Sequence, residues 1–189
     1  MRDSFEPFGA LSDGVVTLRR LALGDAAAVT EACQDPEMVR WTASIVHPYR
    51  EENAIKWLEG QPAKWNDAYI AGLAITDAPS GEFWGNISLV GVNWRTRHAD
   101  VGYWMGAPWR GQGATTRALV LLVQWAFEVL DLHELSLETV IGNVASERVA
   151  TKAGFEFVGE AYDVHVPIRP DRTFDVRKWR RARSNEGVE

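Results

Sequence analysis

One cysteine, four histidines and three methionines are all the sulfur and imidazole in the 189 residues. With a single thiol, Cys33, the chain cannot close an internal disulfide, and a reducing compartment, the cytoplasm, is expected. The histidines (His47, His98, His133, His165) show no metal-ligand spacing, so no metal site is expected. No apolar run approaches the ~20 residues of a membrane-spanning helix. The acidic, charged start does not read as a signal peptide, so no membrane contact is expected. No Gly-x-Ser-x-Gly marks a serine hydrolase. Positive charge is short too: 20 Lys and Arg against 26 Asp and Glu leave a net charge of −6. Nucleic acid is therefore not an expected partner.

What is present suits one soluble globular domain, with 46% hydrophobic and 24% charged residues. Residues 1–14, polar and Gly/Pro-containing, read as a flexible segment. A single domain is expected over 15–182, with a tail at 183–189. Val15–Arg19, Ile70–Thr76, Trp84–Val92, Ala99–Trp104, Leu135–Val140, Glu156–Val166 and Phe174–Arg181 read as strands. Asp25–Cys33 reads as a helix with Asp25 as its N-cap, broken at Asp35-Pro36, and Glu51–Glu59 as a second. Thr116–Leu130 places Leu119, Leu122, Val123, Ala126 and Leu130 on one stripe, which is core. The basic run Arg177–Arg183 reads as a fraying strand and solvated tail, or else as an RNA contact.

The stretch Trp104-Met-Gly-Ala-Pro-Trp-Arg110-Gly-Gln-Gly-Ala-Thr115 carries the most chemistry. A strand runs into a turn with Gly111 and Gly113, and a long helix follows. Glycines opening a helix let backbone N–H groups converge on an anion, and the helix dipole adds about half a positive charge there. Arg110 offers a planar donor suited to phosphate oxygens. No lysine completes a P-loop. A dinucleotide fingerprint needs glycine where Thr116 stands, and a kinase loop needs a downstream His-Arg-Asp. The same residues also make an ordinary strand–turn–helix corner.

A second segment, Asn143-Val-Ala-Ser146-Glu-Arg148-Val-Ala-Thr-Lys152-Ala-Gly154-Phe155, follows the next strand. Together with Val16-Thr-Leu-Arg-Arg-Leu, Asp35-Pro36-Glu37-Met-Val-Arg-Trp41, Ala99-Asp-Val-Gly-Tyr-Trp104, Gly159 and Asp175, it makes residues 15–180 resemble the GNAT superfamily of N-acetyltransferases. The nearer likeness is to the branch of ribosomal-protein N-terminal (serine/alanine) acetyltransferases. The resemblance implies an α+β fold with a mixed, mostly antiparallel sheet flanked by helices, whose central strands, Ala99–Trp104 and Leu135–Val140, splay apart. Acetyl-CoA, as co-substrate, is expected in that gap. Its pantetheine arm would pair with Trp104, Met105 and Gly106, and its pyrophosphate would lie on Arg110, Gly111, Gln112, Gly113, Ala114 and Thr115. Asn143 is expected to touch the arm and Ser146 to face the sulfur as general acid.

Two departures stand out. Thr115 replaces the small residue that usually ends the loop. Ala150 replaces the tyrosine that many relatives use to protonate the thiolate, a residue the ribosomal-protein branch also lacks. Trp41 and Tyr49 are expected in the acceptor wall, and Trp57 and Trp65 in the core. An α-amine, with pKa about 7.7–8.0, keeps a substantial neutral fraction near pH 7, about a tenth, whereas a lysine, at about 10.4, is neutral less than about one time in a thousand. No strong base is evident in the sequence, which favours an α-amine or small-molecule acceptor. By the resemblance a base would fall near His165, with Glu160 and Asp163 close by. Simple alternation puts Asp163 and His165 on one face and Glu160 on the other. A small-molecule (antibiotic, polyamine or metabolite) acetyltransferase, a silent CoA-binding domain and a homodimer all stay open.

Overall fold

A computed structural model describes residues 4–42, 45–166 and 169–184. Eight strands form a single sheet in the order β1-β2-β3-β4-β5-β6-β8-β7. They are β1 (Leu11–Ser12), β2 (Val16–Arg20), β3 (Ala71–Asp77), β4 (Phe83–Asn93), β5 (His98–Met105), β6 (Glu134–Val140), β7 (Glu156–Val166) and β8 (Arg169–Ala182). Every neighbouring pair is antiparallel except β5 and β6, which run parallel. Among the described residues, six α-helices complete the fold: α1 (Ala26–Gln34), α2 (Pro36–Trp41), α3 (Glu51–Glu59), α4 (Gln61–Asn66), α5 (Ala114–Glu128) and α6 (Val144–Lys152).

Side-chain alternation along the strands decides what each face carries. Val101, Met105, Leu135 and Leu137 point to one face and pack with Ala118, Leu119, Leu122 and Ala126 of α5. Trp104 points to the other, against Val29, Met38, Ala54 and Leu58 of α1, α2 and α3. The sheet is thus sandwiched, with α5 and α6 below and α1 to α3 above.

Local chemistry sets the helix ends. Asp35 both ends α1 and starts α2: its Oδ1 accepts from Glu37 N (3.1 Å), with Pro36 at the first helical position. Asp25 does not cap α1 as expected. Its carboxylate is held by the Arg19 guanidinium (2.6 Å) and by Ala22 N instead, because a buried charge gains more from a bidentate cation than from one amide. Gly154, at φ 77°, ends α6, and Phe155 N donates to Ala150 O.

Residues 4–14, part of the segment expected to be flexible, make tertiary contacts. Phe5 is buried; both Phe5 and Phe8 lie against Trp65 and Trp125, and Leu11 pairs with Leu18. Two phenylalanines bury enough apolar surface to tie down a stretch that its Gly and Pro mark as loose. At the other end, the basic run is the closing strand rather than a frayed tail. Arg177 pairs with Glu147 and Glu160, Lys178 with Glu138, Arg180 with Glu134 and Arg183 with Asp131. The 183–189 tail falls mostly outside the described residues; Arg183 N still donates to His133 O.

Candidate active site

β5 and β6 pair only from His98–Val101 against Glu134–Leu137. Beyond that point β5 stays with β4 and β6 stays with β8, so the edges of Gly102–Met105 and Glu138–Val140 part. The opening leads into a cleft of about 1160 Å³ that reaches both faces of the sheet.

On the lower face, the turn into α5 forms one end. Gly111 (φ 76°) and Gly113 (φ 81°) adopt left-handed backbone, and a Cβ at either would meet nothing within 4 Å. Open space over the turn leaves its backbone accessible to a ligand. The first amide bonded within α5 is that of Arg117, to Gly113 O. The N–H groups of Ala114, Thr115 and Thr116 thus have no intrahelical acceptor, and the positive end of the dipole faces the cleft. This backbone fits a pyrophosphate.

The loop's side chains act differently from expectation. Arg110 Nε donates to Met105 O (2.9 Å) and its guanidinium lies 2.6 Å from Asp35 Oδ2, so it ties the loop to β5 and to the start of α2. Gln112 Nε2 donates to Pro108 O, and Ala114 is buried in the core. Gly106 N is taken by Trp84 O. Gly106, Gln112 and Ala114 therefore do not line the cleft, whereas Trp104, Met105, Arg110, Gly111, Gly113 and Thr115 do.

α6 brings the second motif to the same face. Asn143 caps the helix, its Oδ1 accepting from Ser146 N (3.2 Å). Ser146 meets a residue that the sequence reading had not singled out, Tyr103 of β5. The Tyr103 Oη lies 2.9 Å from Ser146 Oγ and donates to Ser146 O at 3.2 Å when turned that way. Burial pushes the Tyr103 phenol up to about 12, so it is a neutral hydrogen-bonding group at any physiological pH. The signal was its odd position in β5, shared with Val101 and Met105.

The upper face holds Trp41, Tyr49, Trp57, Lys56 and Lys64 from the helical layer, with Asn86, Ser88 and Gly102 below them. Trp41 Nε1 donates to Glu37 Oε2 (2.8 Å), and Arg40 stacks on its ring. Tyr49 is buried, and its oxygen hydrogen-bonds Cys33, whose thiol burial pushes up to about 12. Trp65 is buried as expected, stacked with Trp125; Trp57 is half-buried and lines the cleft. Glu138, at the first step where β6 leaves β5, alternates with buried Leu137 and so belongs to the upper face. Among the described residues, Glu37 and Glu138 are the carboxylates lining the cleft. Sequence reasoning missed Glu138, which becomes exceptional only through the parting of the strands.

His165 does not join this site. Bulges in β7 between Phe157 and Gly159 and between Ala161 and Val164 reset the alternation. Val164 pairs with Phe174 and lines the cleft, while His165 pairs with Thr173 and is exposed. Glu160, opposite Arg177, ends on the same face as His165, contrary to the simple alternation. It is held by Arg177 and Tyr162, the tyrosine hydrogen bond being the larger cause that keeps its carboxyl below the usual range.

Residues 16–156 match the profile of the Acetyltransferase (GNAT) domain. The Bacillus subtilis protein YdaF, provisionally named a ribosomal N-acetyltransferase, is 28% identical over 152 residues, covering 78% of this chain and 81% of its own. The structure of RimL, named as a ribosomal L7/L12 alpha-N-protein acetyltransferase in complex with coenzyme A, superposes with a TM-score of 0.80. It is 18% identical and is matched over 92% of this chain and 98% of its own. That of the microcin C7 self-immunity acetyltransferase MccE, in complex with acetyl-CoA and AMP, also gives 0.80, at 17% identity over 91% and 98% of the two chains.

Proposed function

The chain belongs to the GNAT acetyltransferases, and we propose that it moves acetyl from acetyl-CoA to the α-amine of a peptide or protein N-terminus. The observation that carries this reading is the split of polar groups across the opening between β5 and β6. Glu138 stands on the upper face, beside the acceptor wall; Tyr103 and Ser146 stand on the lower face, beside the phosphate-binding turn. An amine entering from above meets a thioester threaded from below.

Attack is direct. The amine lone pair forms the C–N bond, the C–S bond breaks, and the thiolate leaves toward Ser146. The amine's extra proton passes to Glu138, directly or through water. The free edge of β5 offers main-chain N–H and C=O groups to the pantetheine arm as an added strand would receive them. Cys33 is no nucleophile here, since burial keeps its thiol protonated. An α-amine needs only a weak base near pH 7, because about a tenth of it is already neutral, against less than about a thousandth of a lysine. A single carboxylate at the opening meets that need. RimL's name, an alpha-N-protein acetyltransferase, agrees with a protein N-terminus as acceptor, and YdaF's with a ribosomal one.

The test is thiol release from acetyl-CoA across a panel: peptides beginning with Ser or Ala, the same peptides blocked at the N-terminus but carrying lysine, polyamines and aminoglycosides. Free N-terminal peptides should give the highest kcat/KM. Higher values for polyamines or aminoglycosides would replace this reading with a small-molecule acetyltransferase, and CoA binding without thiol release from any amine would leave a silent binding domain.

A further inference from the structure

The upper wall of the cleft carries charges that the transfer chemistry does not use. Lys56 of α3 and Lys64 of α4 both line it. Of the two carboxylates of the same lining, Glu37 is held by Trp41 and Arg40, and Glu138, the base of the transfer, lies 3.8 Å from Lys178. Among the described residues neither lysine has a carboxylate within ion-pair distance, although Lys64 is half-buried. In a chain of net charge −6, two cations left over at a cleft wall are a local reversal of sign.

The junction behind that wall is closely packed. Gln61, buried at the α3–α4 junction, donates Nε2 to Trp57 O (3.0 Å) and sits over Gly72, where a Cβ would come within 2.5 Å of Gln61 Oε1. The Lys64 stem crosses the same junction, its Cε 3.9 Å from where a Cβ on Gly60 would lie, and Gly60 is one helical turn from Lys56. With no carboxylate paired to either lysine among the described residues, an anion entering the upper cleft meets uncompensated positive charge. The phosphates of the co-substrate have their own place on the lower face, at the α5 turn and beside Arg148 and Lys152 of α6.

We infer that Lys56 and Lys64 recognise an anionic acceptor, so that the preferred substrate is a peptide N-terminus followed closely by acidic residues. This rests on the α-amine reading above and adds its substrate class. The amine reaches the opening beside Glu138 while the next residues run along α3 and α4, where their carboxylates meet the lysines.

Three pentapeptides test it, Ser-Asp-Asp-Ala-Ala, Ser-Asn-Asn-Ala-Ala and Ser-Lys-Lys-Ala-Ala, with spermidine as a cationic amine. Each is assayed with the parent, with Lys56→Gln/Lys64→Gln and with Lys56→Glu/Lys64→Glu. The parent should favour the Asp peptide over the Asn peptide by roughly tenfold in kcat/KM, mostly through KM. The preference should fall to about twofold in the Gln pair and turn toward the Lys peptide in the Glu pair, and should weaken with salt. KM for acetyl-CoA should stay unchanged. Equal kcat/KM for the Asp and Asn peptides in the parent overturns this inference and leaves the α-amine reading standing. Spermidine outperforming every peptide overturns both. A raised KM for acetyl-CoA with unchanged peptide preference assigns the lysines to the co-substrate and likewise overturns the inference.

Discussion

The Tyr103 phenol and the Ser146 hydroxyl stand 2.9 Å apart across the gap between β5 and α6. When the phenol donates to Ser146 Oγ, the serine's own hydrogen is free for the departing sulfur. A thiol titrates near 8.5, far below the phenol at about 12, so full proton transfer from the pair to the thiolate runs uphill. The pair therefore stabilises the thiolate by hydrogen bonding while solvent supplies the proton. Ser146→Ala, which removes a hydrogen-bond donor to the developing thiolate, should lower kcat by roughly 10² with little effect on KM for acetyl-CoA. Tyr103→Phe should lose about tenfold or less, and the double variant should be no slower than Ser146→Ala. Additive losses in steady-state kinetics would mean that the two act separately.

The same burial makes Tyr103 a stability group with a definite pH sign. Its folded pKa, about 12, lies above the ordinary 10. The stabilisation is complete below pH 10 and disappears as pH rises toward 12. Two units correspond to about 2.7 kcal/mol, as an upper order of magnitude. Urea midpoints measured from pH 9 to 11.5 should fall less steeply in Tyr103→Phe than in the parent.

Gly113 sits at φ 81° with nothing near its Cβ direction. Gly113→Ala should cost about 1–2 kcal/mol of backbone strain while weakening acetyl-CoA only modestly. Gly113→Asp should abolish detectable binding, because its carboxylate repels the pyrophosphate. Calorimetry on folded variants separates the two effects, and equal affinities would remove the loop from the co-substrate site.

Arg110 works through Asp35 and Met105 O rather than as a free cation. Asp35→Asn and Arg110→Gln should therefore raise KM for acetyl-CoA by similar factors, and the double variant by no more than either. A large effect confined to Arg110→Gln would restore a direct phosphate contact.

Glu138→Gln should lower kcat/KM for the acceptor by at least tenfold at pH 7. The deficit should shrink as pH rises past about 8, where the acceptor is already the free amine and only the proton released on C–N bond formation remains to be taken up. His165→Gln should leave the pH profile unchanged. An acidic limb altered by His165→Gln and not by Glu138→Gln would reverse the assignment.

The sequence by itself determined the limits of several elements and the glycine turn and helix cap that line the cleft. Glu51–Glu59 and Glu156–Val166 appear with the limits expected, and Gly111, Gly113 and Asn143 line the cleft. These features are local: a helix face, a positive φ and a cap are properties of a few adjacent residues. Tertiary structure decided the rest. Tyr103 meets Ser146 from 43 residues away, and Glu138 matters because two strands part beside it. His165 is removed by bulges that no alternation pattern reveals. Arg110 is spent on Asp35, and Phe5 pins a stretch whose composition reads as loose, because ion pairs and burial are settled between segments distant in the chain.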